Sequence, residues 1–435
     1  MVSTGRPYKT IHLTNAFHPT SGGVRTVFRS LLTGANAAGR PIRIVVPGPR
    51  HAVEDVGPFG RIYFVKAPKA VFVDSRYRLI MPWRYLLPWV EGIRQILADE
   101  RPDIVEICDK HTLIYIAGLL RGGWMAGVPR PTLVAHSVER FDDNVATFLS
   151  RGRVAWGFAQ WFMRAVYGPM FDFHLANSEY TAGELRLALP PHRQQDVRVI
   201  PPSLSDRSSQ PEDEGLPRQT VLSIVGGDHR TRLIVYVGRL SREKNLNLLV
   251  GMLEELMARE RPGDHEFRLL IAGDGPERDM LRATRGRVSG RLHLLGNLPH
   301  GAAVRRLLDS GDVFVHPNPR EPFGLAPLEA MAAGLPLVVP NRGGVLSYAD
   351  TSTAWLAEPT PEAFASAVRA VVQHPEVTAA RVAAARDRAK AYREEVIVPR
   401  YFSLLDMLHR QRLGGQAAAI PDAMAAVGPD VATSR

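Results

Sequence analysis

The chain has 435 residues, 45% of them hydrophobic and 23% charged, which excludes wholesale disorder and is too long for one ordinary core. A single cysteine, Cys108, excludes an internal disulfide framework and fits a reducing cytoplasm, and the richest apolar run, "LIYIAGLL", is far short of the roughly 18 residues that span a membrane. Of the net charge of +10, all but one unit sits in the first half, where residues 1–200 hold 25 Lys+Arg against 16 Asp+Glu; that half should meet an anionic acceptor, a membrane surface or nucleic acid, unless its arginines are only solvated decoration.

"MVSTGRPYKT" lacks the apolar core of a secretion signal, and "IHLTN" behind it reads as a first strand. In "TSGGVRTVF", Gly22 and Gly23 would let the backbone approach a ligand closely, and the helix starting near Val24 would aim its N-terminus at it. "IRIVVPG", "RIYFVKAP", "DIVEICD", "TLVAHS", "FHLANS" and "VRVIPPS" continue as strands rich in Val and Ile, alternating with helical periods. This pattern predicts a parallel sheet covered on both faces. Residues 76–97 interleave aromatics with arginines, as a membrane-touching face or a helix packed on the sheet would; Pro82 and Pro88 interrupt it and favour packing. In "ANSEYTAGEL" Ser178 or Thr181 is expected to cap a helix, with Glu184 completing a capping box with Thr181 and Asn177 outside any site.

After Pro201-Pro202 the polar "SLSDRSSQPEDEG" reads as an exposed connection. The alternation then restarts with "RLIVYVGRL", "FRLLIAGDG", "RLHLLGN", "DVFVHPN" and "LPLVVPN". The predicted fold is α/β, with two Rossmann-like, doubly wound parallel-sheet domains that take ligands in the cleft facing the carboxyl ends of their strands. The expected boundaries are 1–203 for the basic first domain, which should meet the acceptor, 204–230 for the connection and 231–395 for the second domain. A terminal helix at 396–413 that returns to the first domain and a disordered tail at 414–435 complete the division.

"GDGPER" starts like a dinucleotide fingerprint but has Arg278 in place of the third glycine. No phosphate-binding loop with Lys-Ser/Thr, no Asp-x-Asp pair and no zinc spacing occurs in the sequence, so metal-free chemistry and no cofactor are expected. In "REPFGLAPLEAMAAG" the turn at 320–324 follows a buried strand, and Pro327 and Gly334 bracket a helix. The backbone N–H groups of Gly324, Leu325 and Ala326 would form an anion site beside Phe323. Glu321 in the turn and Glu329 on the helix would line one ligand, and carboxylates accept hydrogen bonds from sugar hydroxyls. Arg239 and Lys244 in "VGRLSREKN" would bring two cations to one diphosphate.

Together "EPFGLAPLE", "GRLSREKN", the early Gly-Gly loop, "AHS" and "LANSEYTAGEL" resemble the retaining glycosyltransferases of family 4, which have the two-domain GT-B fold; the resemblance covers residues 9 to 405 and is strongest in the second half. It implies that Glu321 contacts hydroxyls of the donor sugar, that Glu329 holds the ribose and that Arg239 and Lys244 grip the diphosphate. It puts His136 beside the transferring sugar, orienting it or stabilising charge at the anomeric centre, and Gly22 and Gly23 near the donor phosphates. The implied reaction moves a hexose from a UDP- or GDP-sugar to a hydroxyl on a lipid, glycan or small molecule, with retention and without metal. Rival readings are a glycoside phosphorylase or synthase acting on a soluble disaccharide, and a non-catalytic nucleotide-sugar-binding subunit. A cytoplasmic location is expected, either free or in peripheral contact with the inner membrane face through the basic half. No nucleic-acid motif accompanies the charge, so nucleic acid is not an expected partner.

Overall fold

The computed structural model describes residues 6–17, 23–70, 74–86, 92–148, 152–204, 218–299 and 301–414, but not the side chains of 74–77, 86 and 148. They divide into two units, one holding the chain up to Ser205 and again from Glu394, the other holding the chain between. Gly22, residues 205–217 of the expected connection and the tail beyond Gly414 lie outside the described residues.

The strands of the first unit are β1 (Thr10–Thr14), β2 (Ile42–Gly48), β3 (Ala52–Val56), β4 (Gly60–Lys66), β5 (Lys69–Ala70), β6 (Asp74–Arg78), β7 (Ile104–Cys108), β8 (Thr132–Ser137), β9 (Phe173–Ala176) and β10 (Val197–Val199). Eight of them form one sheet in the order β10-β9-β8-β7-β1-β2-β4-β3, while β5 and β6 make a separate ribbon. Strands β1, β7 and β8 are buried at every residue, as Val- and Ile-rich strands covered on both faces must be. The edge differs from the predicted all-parallel sheet. β3 pairs antiparallel with β4, because the three-residue turn Gly57–Phe59 is too short for a crossover. Its exposed "AVEDV" carries Glu54 and Asp55, charges that discourage pairing with another edge.

The six strands of the second unit are β11 (Thr231–Val237), β12 (Glu266–Ala272), β13 (Leu292–Gly296), β14 (Val313–Val315), β15 (Leu337–Pro340) and β16 (Trp355–Ala357). All are parallel, in the order β13-β12-β11-β14-β15-β16. The order reverses direction between β11 and β14, and doubly wound sheets bind ligands outside the carboxyl ends at such a reversal. Within the stretch expected to be a connection, residues Arg218–Val225 form a helix of this unit, tied by Arg218 to Asp312 at 2.7 Å.

The helix Glu394–Arg412 belongs to the first unit, where Val398, Tyr401, Phe402, Leu404, Leu405 and Leu408 complete a hydrophobic cluster with Phe28, Leu31, Ile42 and Ile44. Polar contacts pin it as well. Arg40 lies 2.6 Å from Asp406, and Thr132 Oγ1 lies 2.7 Å from His409 Nδ1.

The helix start at Glu179 corrects one expectation. Ser178 is the cap, its hydroxyl accepting from the Thr181 N–H at 3.1 Å. Glu184 makes no capping box: it is fully buried and takes a 2.6 Å bond from Lys110, because a buried ammonium needs a carboxylate more than a helix end does. In residues 76–97 the buried Tyr85, Ile93 and Leu97 join the core, so the described part packs on the sheet, while Trp83 is exposed and 87–91 lie outside the described residues.

Candidate functional site

The second unit gathers its predicted residues where the sheet order reverses. After β11 the chain runs through Gly238, Arg239 and a short 3-10 turn at Arg242–Lys244; after β14 it runs through His316 to Gly324. The two loops meet where Lys244 Nζ donates to Glu321 Oε2 at 2.7 Å. Asn318 Nδ2 donates to the same oxygen at 3.0 Å, and His316 Nε2 lies 3.1 Å from it. Asn245, held in the left-handed region with φ 54°, ties the loops again by donating to the Pro317 carbonyl at 3.1 Å.

Glu321 is buried. Burial alone would push its carboxyl up, but the Lys244 charge and the adjacent His316 hold it well below the usual carboxylate range. It therefore stands ionised, a strong acceptor for hydroxyls. Arg239 is placed on the same loop as Lys244, where its guanidinium meets Glu243 at 2.8 Å and Ser241 Oγ at 3.1 Å. Both cations predicted to meet a diphosphate are thus engaged by carboxylates, which holds them in place ahead of any ligand.

The turn that carries Glu321 is fixed from behind. Gly344 donates its N–H to the Glu321 carbonyl at 2.7 Å, and a Cβ on Gly344 would fall 1.8 Å from the Pro322 oxygen. No other residue fits there without moving the turn. Gly273 plays the same part for the Arg239 loop: with φ +147° it lies so close that a Cβ would meet the Gly238 oxygen at 1.8 Å. This accounts for "GDG" without any dinucleotide role.

Helix Leu325–Ala333 opens on Gly324, at φ 87°, and ends on Gly334, as the sequence predicts. The Tyr348 hydroxyl donates to the Gly324 carbonyl at 2.7 Å, while the N–H groups of Leu325 and Ala326 begin the first turn. Glu329 is half-buried on this helix. Phe323 is placed differently from a ligand-facing side chain: its ring is buried against Tyr348 and Tyr392, with centroids 5.2 and 5.9 Å away, and it anchors the turn from beneath.

In the first unit Gly23 is exposed at the start of helix Gly23–Ala37, and Gly22 lies outside the described residues. His136, near the carboxyl end of β8, belongs to a cluster that the sequence reading missed. Glu106 on the neighbouring β7 is fully buried; its Oε1 lies 3.2 Å from His136 Nδ1 and 3.0 Å from His12 Nδ1, and its Oε2 accepts from the Tyr401 hydroxyl. Burial would raise this carboxyl, but the two histidines hold it well below the ordinary range. An ionised carboxylate only accepts, so both Nδ1 atoms donate, and His136 is left with Nε2 to address a ligand. The signal was present in the sequence: Glu106 is a lone carboxylate inside the apolar strand "DIVEICD".

Among the described residues no group of three or more His, Cys, Asp or Glu side chains is arranged to hold a metal ion, and no helix is long and apolar enough to cross a membrane.

Two family descriptions match the chain: Glycosyltransferase Family 4 over residues 21–206 and Glycosyl transferases group 1 over residues 220–388. A GDP-mannose-dependent alpha-(1-6)-phosphatidylinositol dimannoside mannosyltransferase of Mycobacterium tuberculosis is 29% identical over 372 residues, covering 85% of this chain and 88% of the relative. A GDP-mannose-dependent alpha-mannosyltransferase of Corynebacterium glutamicum is 24% identical over 342 residues, covering 78% and 74%. Among solved structures, sucrose-phosphate synthase from Thermosynechococcus elongatus superposes with a TM-score of 0.72 at 19% identity, covering 93% of this chain and 99% of that one. Anabaena HepE, in complex with UDP and glucose, gives 0.67 at 17% identity, covering 92% and 99%. With both halves matched and two doubly wound sheets in place, the chain belongs to the family 4 glycosyltransferases and has their GT-B fold.

Proposed function

We propose that this glycosyltransferase moves a hexose from a nucleoside diphosphate sugar, GDP-mannose before UDP-sugars, onto a hydroxyl acceptor with retention, giving an α linkage. The GDP-mannose dependence in the names of the Mycobacterium and Corynebacterium relatives supports that donor, and the phosphatidylinositol mannoside in the first of those names supports an acceptor carried by a lipid. The Lys244–Glu321 contact carries the reading, because it sets an ionised acceptor and a cation together at the reversal point of the second sheet.

In the proposed reaction Glu321 accepts hydrogen bonds from donor-sugar hydroxyls. The partners named above all meet Oε2, so Oε1 is the oxygen that the hydroxyls would address. Glu329 holds the ribose. Arg239, Lys244 and the first N–H groups of helix Leu325–Ala333 stabilise the charge that develops on the departing diphosphate, a task for which no metal is needed. The acceptor oxygen bonds to the anomeric carbon on the side from which the diphosphate leaves, and the hydroxyl proton passes to the departing phosphate oxygen. His136 offers Nε2 to the sugar, oriented through Nδ1 by Glu106. Glu321 and Glu329 do not act as the paired carboxyls of a retaining glycosidase, about 5 Å apart, since Glu329 is engaged by the ribose.

A hydrolysis screen over GDP- and UDP-sugars, followed by acceptor trials and assignment of the product's anomeric configuration, tests the reading. Release of nucleoside diphosphate from one donor and an α-linked product are expected; a β-linked product, or phosphorolysis of a disaccharide without nucleotide, would replace it.

A further inference from the structure

We propose that the helix Arg153–Phe162 of the first unit is a docking face for an anionic lipid surface. Val154, Trp156, Phe158 and Trp161 are 87%, 59%, 49% and 57% exposed, a concentration of bare apolar and aromatic surface on one ten-residue helix. Val154, Phe158 and Trp161 are spaced i, i+4, i+7 and share a face, whereas Ala159 and Met163 on the opposite side are buried in the core. The rings of Phe158 and Trp161 are continuous with that core. Phe158 lies 6.0 Å from Trp161 and 6.4 Å from Phe162, and Phe162 stacks on the buried Phe141 at 4.8 Å. They are therefore held outward by packing beneath them.

Charge selects the occupant. Between Asp143 and Asp172 the sequence has no Asp or Glu but carries Arg151, Arg153 and Arg164. Arg153 and Arg164 are exposed beside the aromatic face. Aromatic rings flanked by arginine, on a segment that itself carries no acid, suit the headgroup level of an anionic bilayer, where Trp and Arg both partition. The position fits the inferred acceptor side of the enzyme, and to that extent the inference rests on the function proposed above. Phe141, which supports the patch through Phe162, opens the helix that follows β8, five residues beyond His136. A lipid-borne acceptor would thus be met close to the strand ends that carry this histidine.

The test uses the full chain and sedimentation with phosphatidylcholine vesicles, with and without phosphatidylglycerol, at low and high salt. Binding to the anionic vesicles is expected, weakened by salt. A Phe158→Ala/Trp161→Ala variant should partition at least about tenfold less, as should Arg153→Glu/Arg164→Glu. Both variants should keep wild-type donor hydrolysis in solution, a readout that reports on the proposed function independently of the membrane. Failure of the wild type to bind, or equal binding by wild type and variants, overturns the proposal. So does a dimer in vesicle-free buffer that the aromatic variant dissociates, since a second copy would then be the occupant.

Discussion

The Tyr401 hydroxyl donates to Glu106 Oε2 across 295 positions of sequence, joining the helix Glu394–Arg412 to a central strand of the first sheet. Burial and the Glu106 charge push the Tyr401 hydroxyl far above its usual pKa, so it remains a donor at any physiological pH. Because a buried carboxylate loses a bond that water cannot replace, Tyr401→Phe should cost about 2 kcal/mol of stability. Thermal unfolding of the variant should show an earlier transition for the first unit. An unchanged melt would mean that the bond contributes nothing net.

Glu321→Ala and Lys244→Ala should each lower donor turnover at least about a hundredfold with the fold intact, the usual scale for removing a charge-stabilising contact. Circular dichroism and steady-state rates decide the point. Rates near wild type in both variants would remove the second unit's loops from the chemistry.

Gly344→Ala places a methyl group against the Pro322 oxygen and must displace the turn that holds Glu321. A shift on the scale of 1 Å at a positioning loop costs up to about a hundredfold in rate. Gly123→Ala serves as a control for a glycine replacement without a close approach, because nothing lies within 4 Å of a Cβ there and only backbone strain, with φ +71°, is introduced. Loss of donor turnover in Gly344→Ala but not in Gly123→Ala is the expected outcome; equal rates would show that the turn tolerates the shift.

Stability should also fall in acid through Glu100. Burial pushes its carboxyl up, but Lys9, Tyr63 and Arg43 bring it down to about 2. A carboxyl depressed in the folded state stabilises above its unfolded value near 4.3, and that contribution is lost as pH falls through the folded value. Melting temperatures should therefore decline between about pH 4.5 and 2. Lys9→Gln should lower the melt at neutral pH and flatten this decline. If the variant and wild-type curves ran parallel, the Lys9 contact would have no linkage to protonation.

The strands that could be read from sequence were those whose burial on both faces demands a run of Val, Ile and Leu, such as "LIVYV" and "DIVEI". Strand β3 escaped because "AVEDV" carries two charges in five residues and faces solvent, and β16 because "WLA" is too short to show a period. The same physics divides the site. Glu321 and Lys244 were visible through turn and helix signals around them, and their direct contact follows from the placement of two loops at one sheet reversal. His316 and Asn318, which surround Glu321, are ordinary residues of a strand end and announce nothing locally. Glu106 itself stands out as a carboxylate inside an apolar strand, but its partners, on neighbouring strands and on a helix almost 300 positions away, are encoded by no local pattern.

Since Glu394–Arg412 completes a core whose other members lie before residue 201, the order of synthesis matters. On the ribosome the earlier unit emerges with an open flank, and it must wait for every residue of the later unit before its missing wall arrives. Nascent chains stalled before residue 394 should accordingly engage chaperones through the half that was made first.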